Sequence, residues 1–300
     1  MVRTSFEGAE MKTFLVSLSL CLVSPSVTAL EVFACEPEWG ALVDELAGEH
    51  ATVTVATTAF QDPHRLQAKP SLIAAIRKAD LVVCTGADLE IGWLPLLLRR
   101  GGSAEVFMAA DHVRKLEIPV IVDRTQGDIH PQGNPHVHLD PRNIRRIANA
   151  LVERLAKVDS ANAADFHTRL QEFQARWASA IAEWEERAEN LAGLRFASHH
   201  RSFSYLVNWL DLDIVATLES KPGVPPSGAQ LASLLEQLSS NPPLGVVRTP
   251  YENEKPSLWL SKRLSIPAIK LPYTIGGNAS VDDLFSLFDE TLNILEGYRQ

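Results

Sequence analysis

"NAADFHTRLQEFQARWASAIAEWEERAEN", residues 162–190, holds neither glycine nor proline. Apolar side chains recur at Phe166, Leu170, Phe173, Trp177, Ile181, Trp184 and Ala188. The steps run four, three, four, four, three, four, which keeps one face of an α-helix apolar throughout. A helix of about 28 residues at 1.5 Å per residue is roughly 40 Å long, more than a globular helix usually needs. The stretch is predicted to be a stiff strut, and its position divides the chain into two halves.

On both sides of the strut, strands alternate with helices. Before it come "LEVFACEP", a strand, and "PEWGALVDELAGEH", a helix with Trp39, Leu42 and Leu46 on one side. "ATVTVATTA" alternates β-branched residues and reads as a strand. "KPSLIAAIRKA" is a helix with Pro70 near its start, "DLVVCTG" a buried strand, and "LEIGWLPLLLRRGG" a helix stopped by glycine. "AEVFMAA" and "IPVIVD" are further strand candidates, and "PRNIRRIANALVERLAKV" is helical. After the strut the pattern restarts with "RFASHH", "DIVATLE", "LGVVRTP" and "IPAIKLP" as strands and a helix after each. The expected class is α/β, with two similar lobes, each a parallel sheet flanked by helices, joined by one long helix. The expected segments are 1–29, 30–160, 161–190 and 191–300.

Composition fits this. Of 300 residues, 46% are hydrophobic and 22% charged, enough for two packed cores. A net charge of −9, with only short basic clusters, argues against a nucleic-acid partner. From Met11 the chain reads "MKTFLVSLSLCLVSPSVTA", a lysine, an apolar run and small residues at Val27 and Ala29. This reads as a secretory signal, with cleavage expected after Ala29 and the start open between Met1 and Met11. Cys21 follows Leu20, where lipidation would need a small residue. The mature chain is expected in the periplasm, as a monomer. Cys35 and Cys84 then remain, and a disulfide, two separate thiols and metal ligation all stay open.

Nine histidines are too many to be all functional. His50, His112 and His167 lie in helix or surface contexts. His64 follows the second strand, His136 and His138 follow a Gly- and Pro-rich loop at 124–135, and His199 and His200 end the first strand of the second half. Ligands in open α/β sheets bind at the carboxyl ends of strands. Three remote points thus bring imidazoles to that edge, two from one half and one from the other.

The chain resembles the zinc/manganese class of solute-binding proteins that feed ABC importers, the cluster A-I family. The similarity runs from about Val32 to Leu295. It rests on "QDPH" followed by "KPS", on "ADLVVCTGADLEIGWLP", on "GNPHVHLDP" and on "HHRSFSYLVNWLDLDIVATLESKPGVPPS", in that order. The resemblance implies one metal between two lobes, with His64, His136 and His200 as its ligands. His200 is preferred over His199 because the family block reads His, two residues, an aromatic, one residue, Tyr, here His200, Phe203 and Tyr205. Many members carry an acidic fourth ligand after the last strand. Here that stretch is "IKLPYTIGGNASVDD", with Asp282 and Asp283 the nearest acids, equally readable as helix caps. Asp282 is the expected fourth ligand, with Glu219 a candidate for the same place or an acceptor behind the ligands, and water a further alternative. His138, where other members often have Trp, would assist or orient His136 if 136–138 is extended. His130 in the loop would make a transient cation contact.

Three imidazoles and one oxygen suit Zn²⁺, whereas Mn²⁺ prefers more oxygen. The expected function is zinc capture and delivery to an inner-membrane ABC permease, with a periplasmic metallochaperone as a further partner. The rivals are an exported zinc hydrolase, for which no HExxH helix or nucleophile elbow is present, and a metal chaperone or adhesin on the same scaffold.

Overall fold

The computed structural model describes residues 1–2, 29–122, 127 and 129–299. The apolar run of the expected signal segment, Val27 and Cys21 lie outside the described residues. Among the described residues, no helix is long and apolar enough to cross a membrane.

The first half builds β1 (Leu30–Ala34), α1 (Pro37–Ala47), β2 (Ala51–Val55), α2 (Pro70–Lys78), β3 (Leu81–Cys84), α3 (Leu94–Arg100) and β4 (Glu105–Met108). Next come α4 (Pro141–Val158) and the long α5 (Ala163–Ala188). The second half builds β5 (Arg195–Ser198), α6 (Ser204–Leu210), β6 (Asp213–Thr217), α7 (Gly228–Ser239), β7 (Gly245–Arg248), α8 (Glu254–Leu264), β8 (Ala268–Lys270) and α9 (Leu284–Glu296). The sheet orders are β2-β1-β3-β4 and β6-β5-β7-β8, the same topology twice, with every pairing parallel. In each sheet the chain steps to one side of its first strand and then to the other, so each half has a crevice where the strand order reverses.

The 26-residue α5 is the strut. Its buried Phe166, Phe173, Trp177 and Trp184 pack against α1, α4 and α9. The Trp177 ring meets Phe285 edge-on at 4.8 Å, and Trp184 lies 5.0 Å from Phe288. Each indole N–H finds an acceptor, Trp177 at the Pro141 carbonyl (2.8 Å) and Trp184 at Asp289 (2.7 Å). His50 and His112 are structural as expected. His50 pairs with Asp165 at 2.9 Å, and His112 stacks on Phe107.

Two local expectations change. The apolar "IPVIVD" forms no strand over its described residues. Ile118, Val120, Ile121 and Val122 are exposed, and the outer edge of β4 is already occupied by Arg154 of α4, which donates to the Val106 carbonyl at 2.9 Å. The helix expected over "LEIGWLPLLLRRGG" begins only at Leu94. Before it, Gly86, Ala87 and Asp88 take positive φ, and the Glu90 carboxylate folds back to accept from the Thr85 and Gly86 amides. Of the readings open for Cys35 and Cys84, the structure has the disulfide, between the end of β1 and the end of β3, with Cα atoms 4.8 Å apart.

Candidate metal centre

His64 lies in the loop after β2. Asp62 Oδ1 accepts from both the backbone N–H (3.0 Å) and Nδ1 (2.8 Å) of His64, which fixes ring and loop together. The Trp93 indole donates to the Pro63 carbonyl between them at 2.8 Å. His136 sits just before a 3₁₀ turn, Val137–Leu139, that leads into α4. The Asn134 side chain accepts from the His136 N–H at 3.0 Å and donates to Glu117, to the Arg201 carbonyl and to Ser204. One asparagine thereby aims the histidine and ties its loop to the second half. His200 follows β5 by two residues. Its Nδ1 lies 2.8 Å from Glu219 Oε2, which also accepts from Gly223 N–H at 2.8 Å.

These three rings meet. Their centroids are 5.7, 5.9 and 6.1 Å apart, each pair close to perpendicular. One nitrogen from each gathers with the others within 4.8 Å. The two first-half histidines and the one from the second half thus converge at the crevice between the sheets. Each Nδ1 is engaged from behind, by Asp62, by the Tyr273 hydroxyl (2.7 Å from His136) and by Glu219. An ionised carboxylate only accepts, so Nδ1 of His64 and of His200 carries the proton and Nε2 carries the lone pair. Tyr273 can accept from His136 in the same way. Such acceptors behind imidazoles are what orient and strengthen metal-binding histidines.

The electrostatics follow from burial and these partners. Burial, and then the neighbouring imidazoles, hold His136 well below the ordinary histidine range. Burial also pulls on His200, but the Glu219 hydrogen bond and charge outweigh it and leave His200 raised. Burial works to raise Asp62, yet its bonds to His64 keep it lowered. A cleft of about 560 Å³ opens on His136 and His200, with His130 and Lys221 on its walls.

The remaining expected residues are placed as follows. Asp282 is corrected. It is exposed at the start of α9, its Oδ1 accepts from the Ser286 hydroxyl at 3.1 Å, and it stands outside the gathered ligand atoms. Asp283 caps the same helix through Ser286. Glu219 is turned to Nδ1 of His200, so it stands behind the ligands. His138 does not share the face of His136, because 137–139 is a 3₁₀ turn rather than an extended segment. It is fully buried, with Nε2 on the Tyr273 carbonyl (2.9 Å) and Nδ1 3.2 Å from Glu38 Oε1. His136 and His138 thus both contact Tyr273, one at its hydroxyl and the other at its carbonyl. His199 is buried, 3.9 Å from Glu219, and outside the triad. His130 Nε2 lies 3.1 Å from His64 Nε2.

Two residues of the site were not singled out from sequence, Asp62 and Tyr273. A signal for Asp62 exists: an acid two residues before a histidine, across a proline, is placed for both bonds it makes. Tyr273 offers none, since it reaches His136 across 137 residues.

Comparison with known proteins decides the family. Residues 32–297 match the family described as ZnuA, zinc-uptake complex component A, periplasmic. The chain belongs to the ZnuA family. Its relatives include the zinc-binding lipoprotein AdcA of Streptococcus pneumoniae, 25% identical over 66% of this chain and 40% of that protein. The manganese-binding lipoprotein MntA of Halalkalibacterium halodurans is 28% identical over 45% of this chain and 44% of that one. The matched region thus spans less than half of each relative's length. A crystal structure of ZnuA superimposes with TM-score 0.78 at 21% identity, covering 90% of this chain and 99% of that one, which shows a shared fold. The ZnuA family is one of transport components rather than enzymes.

Proposed function

We propose that this protein is an exported solute-binding protein that holds one Zn²⁺ through His64, His136 and His200 and passes it to an ABC permease. The observation that carries the reading is the convergence of three imidazole nitrogens within 4.8 Å, drawn from both halves and each backed by an oxygen acceptor. Neutral imidazole is the ligand Zn²⁺ favours, at Zn–N distances of about 2.0–2.1 Å. Relatives bind zinc or manganese by name. The donor set here supports zinc, because among the described residues no carboxylate oxygen joins the gathered nitrogens and Mn²⁺ prefers oxygen donors.

The division into segments 30–160, 161–190 and 191–300 suits this role, with the ligands at the seam. Bonds across the seam limit opening. Thr274 donates to Glu38 at 2.5 Å, Tyr205 donates to the Asn134 carbonyl at 2.9 Å, and Arg65 donates to the Gly223 carbonyl at 2.8 Å. With α5 packed on helices of both halves, release by local loop movement fits better than wide hinge opening.

Competition calorimetry with Zn²⁺ and Mn²⁺ tests the reading. Wild type is expected to bind one zinc tightly and manganese weakly. His64→Ala, His136→Ala and His200→Ala should each bind zinc at least about tenfold more weakly, and His167→Ala should not. Equal zinc affinity in all four variants would refute it.

A further inference from the structure

Residues 56–69, which carry His64, contain no helix or strand. His136, by contrast, leads straight into a 3₁₀ turn and α4, and His200 follows β5. The reach of His64 therefore depends on what its loop rests on. Asp62 fixes the ring relative to the loop, but Asp62 is part of that loop. On its own half the loop is tied at its start, where the Thr57 hydroxyl donates to the Cys35 carbonyl at 2.8 Å, and then meets residues 85–93, the segment after β3.

That segment is built to hold one shape. The disulfide fixes Cys84 to the end of β1. Gly86, Ala87 and Asp88 then take φ of +79°, +49° and +66°, a region that alanine and aspartate seldom enter. Buried Glu90 closes this turn by accepting from the Thr85 N–H at 2.7 Å and the Gly86 N–H at 3.1 Å, while its carbonyl accepts from the Trp93 and Leu94 N–H groups at 3.0 and 2.9 Å. Trp93 is buried in an apolar cluster with Leu72, Ile76 and Leu97, and its indole N–H donates to the Pro63 carbonyl at 2.8 Å. Gly92 is exposed and has no left-handed φ. Apart from its chain neighbours, a Cβ there would meet one atom within 4 Å, the His64 carbonyl oxygen at 3.2 Å. Residues 63 and 64 are thus held by a hydrogen bond and by a close backbone approach, one from each of two adjacent residues.

We propose that Trp93 and Gly92 are positioning residues for His64. Their hold on residues 63 and 64 sets how far His64 reaches toward the nitrogens of His136 and His200. A ligand set held this way suits an ion that bonds imidazole at 2.0–2.1 Å in a tetrahedral shell, as zinc does. Mn²⁺ takes more donors, chiefly oxygen, and gains when a nitrogen ligand can back away. Such discrimination needs the ligands held to within about 0.5 Å by the groups behind them. Trp93 and Gly92 therefore contribute to selectivity and retention without touching the ion. The inference rests on the metal-site reading above.

Gly92→Ala, Trp93→Phe, His64→Ala and Leu151→Ala are compared with wild type, Leu151 being a buried core residue within α4. Each is titrated with Co²⁺ as a spectroscopic substitute for zinc, zinc-loaded samples are challenged with a chelator, zinc and manganese are competed, and Tm is recorded without metal. Trp93→Phe is expected to keep one bound metal with an altered cobalt spectrum, to lose zinc about tenfold faster and to narrow the preference for zinc over manganese. Gly92→Ala should change spectrum and preference in the same direction by less, with Tm unchanged. Leu151→Ala should lower Tm and leave spectrum and preference as in wild type. If either Gly92→Ala or Trp93→Phe matches wild type in spectrum, release rate and preference while His64→Ala binds weakly, that residue does not position His64 and the triad reading stands. The same holds if zinc release merely follows Tm across all variants, Leu151→Ala included. If wild type takes up no stoichiometric cobalt or zinc, the metal-site reading fails and this inference with it.

Discussion

The Tyr273 hydroxyl lies 2.7 Å from Nδ1 of His136, joining the stretch after the last strand of one half to a ligand candidate from the other. The Tyr273 carbonyl is met in turn by His138, whose Nδ1 lies 3.2 Å from Glu38 Oε1. Tyr273→Phe keeps the ring packing and removes only the acceptor. Zinc affinity is expected to fall by about tenfold, the lower end of the effect of losing such a partner, with thermal stability nearly unchanged. Affinity equal to wild type would show that His136 needs no acceptor.

The Glu38, His138 and Thr274 cluster is a polar weld between the halves. The Glu38 and His138 side chains are both 0% exposed. Glu38→Ala would leave the buried Thr274 hydroxyl without its acceptor and remove the carboxylate beside His138. Leaving a buried hydroxyl without its acceptor costs about 1–3 kcal/mol. Denaturant unfolding should show a loss of this order, and a change under 1 kcal/mol would mean that water restores the missing bonds.

Zinc affinity should depend on pH mainly through His200. His136 is already neutral at pH 7, since burial keeps it well below its ordinary value. His200 is raised above 6.5, because Glu219 outweighs burial, so it retains a proton that zinc must displace. Affinity therefore rises with pH through the His200 range and levels off above it. Below that range it falls by up to about tenfold per pH unit for one displaced proton. Glu219→Gln should move the fall to lower pH. Zinc titrations from pH 5.5 to about 8.5 would show a flat profile if no ligand carried a proton there.

Stability should have a different pH dependence, set by Glu36 and Glu90. Both accept from the Thr85 N–H, at 3.3 and 2.7 Å, so two carboxyl groups lie side by side in the core. Burial and the charge of Glu90 push Glu36 well above its ordinary 4.5, and burial pushes Glu90 up to about 7. The folded state thus binds more protons than the unfolded state between these limits. The stabilisation is complete below about 4.5 and is lost as pH rises through about 7. The Tm of the metal-free protein should fall from pH 5 to about 8, and Glu36→Gln should flatten the curve. A wild-type Tm constant over that range would contradict the shared buried proton.

Much of this molecule was legible in one dimension. The period of 162–190 specified the strut, and the alternation around it specified two parallel α/β halves. The positions of His64, His136 and His200 at strand and loop ends marked the crevice. Those signals are local: a helix or strand repeats its own geometry, and the end of a strand is visible where its pattern stops. "IPVIVD" misled for the same reason, since apolar alternation says nothing about whether a sheet edge is free to pair, and here Arg154 of α4 covers the edge of β4.

The tertiary structure alone decided which way the polar groups turn. Asp282 and Glu219 are acids at plausible distances along the chain, yet one caps a helix and the other backs a histidine. His138 points away from His136 because a 3₁₀ turn separates them, and Tyr273 reaches the site from far along the sequence. A side chain's direction depends on local backbone angles and on what remote segments pack against it. Residue order records where a donor sits on its element, and only the packed fold determines which atom it faces.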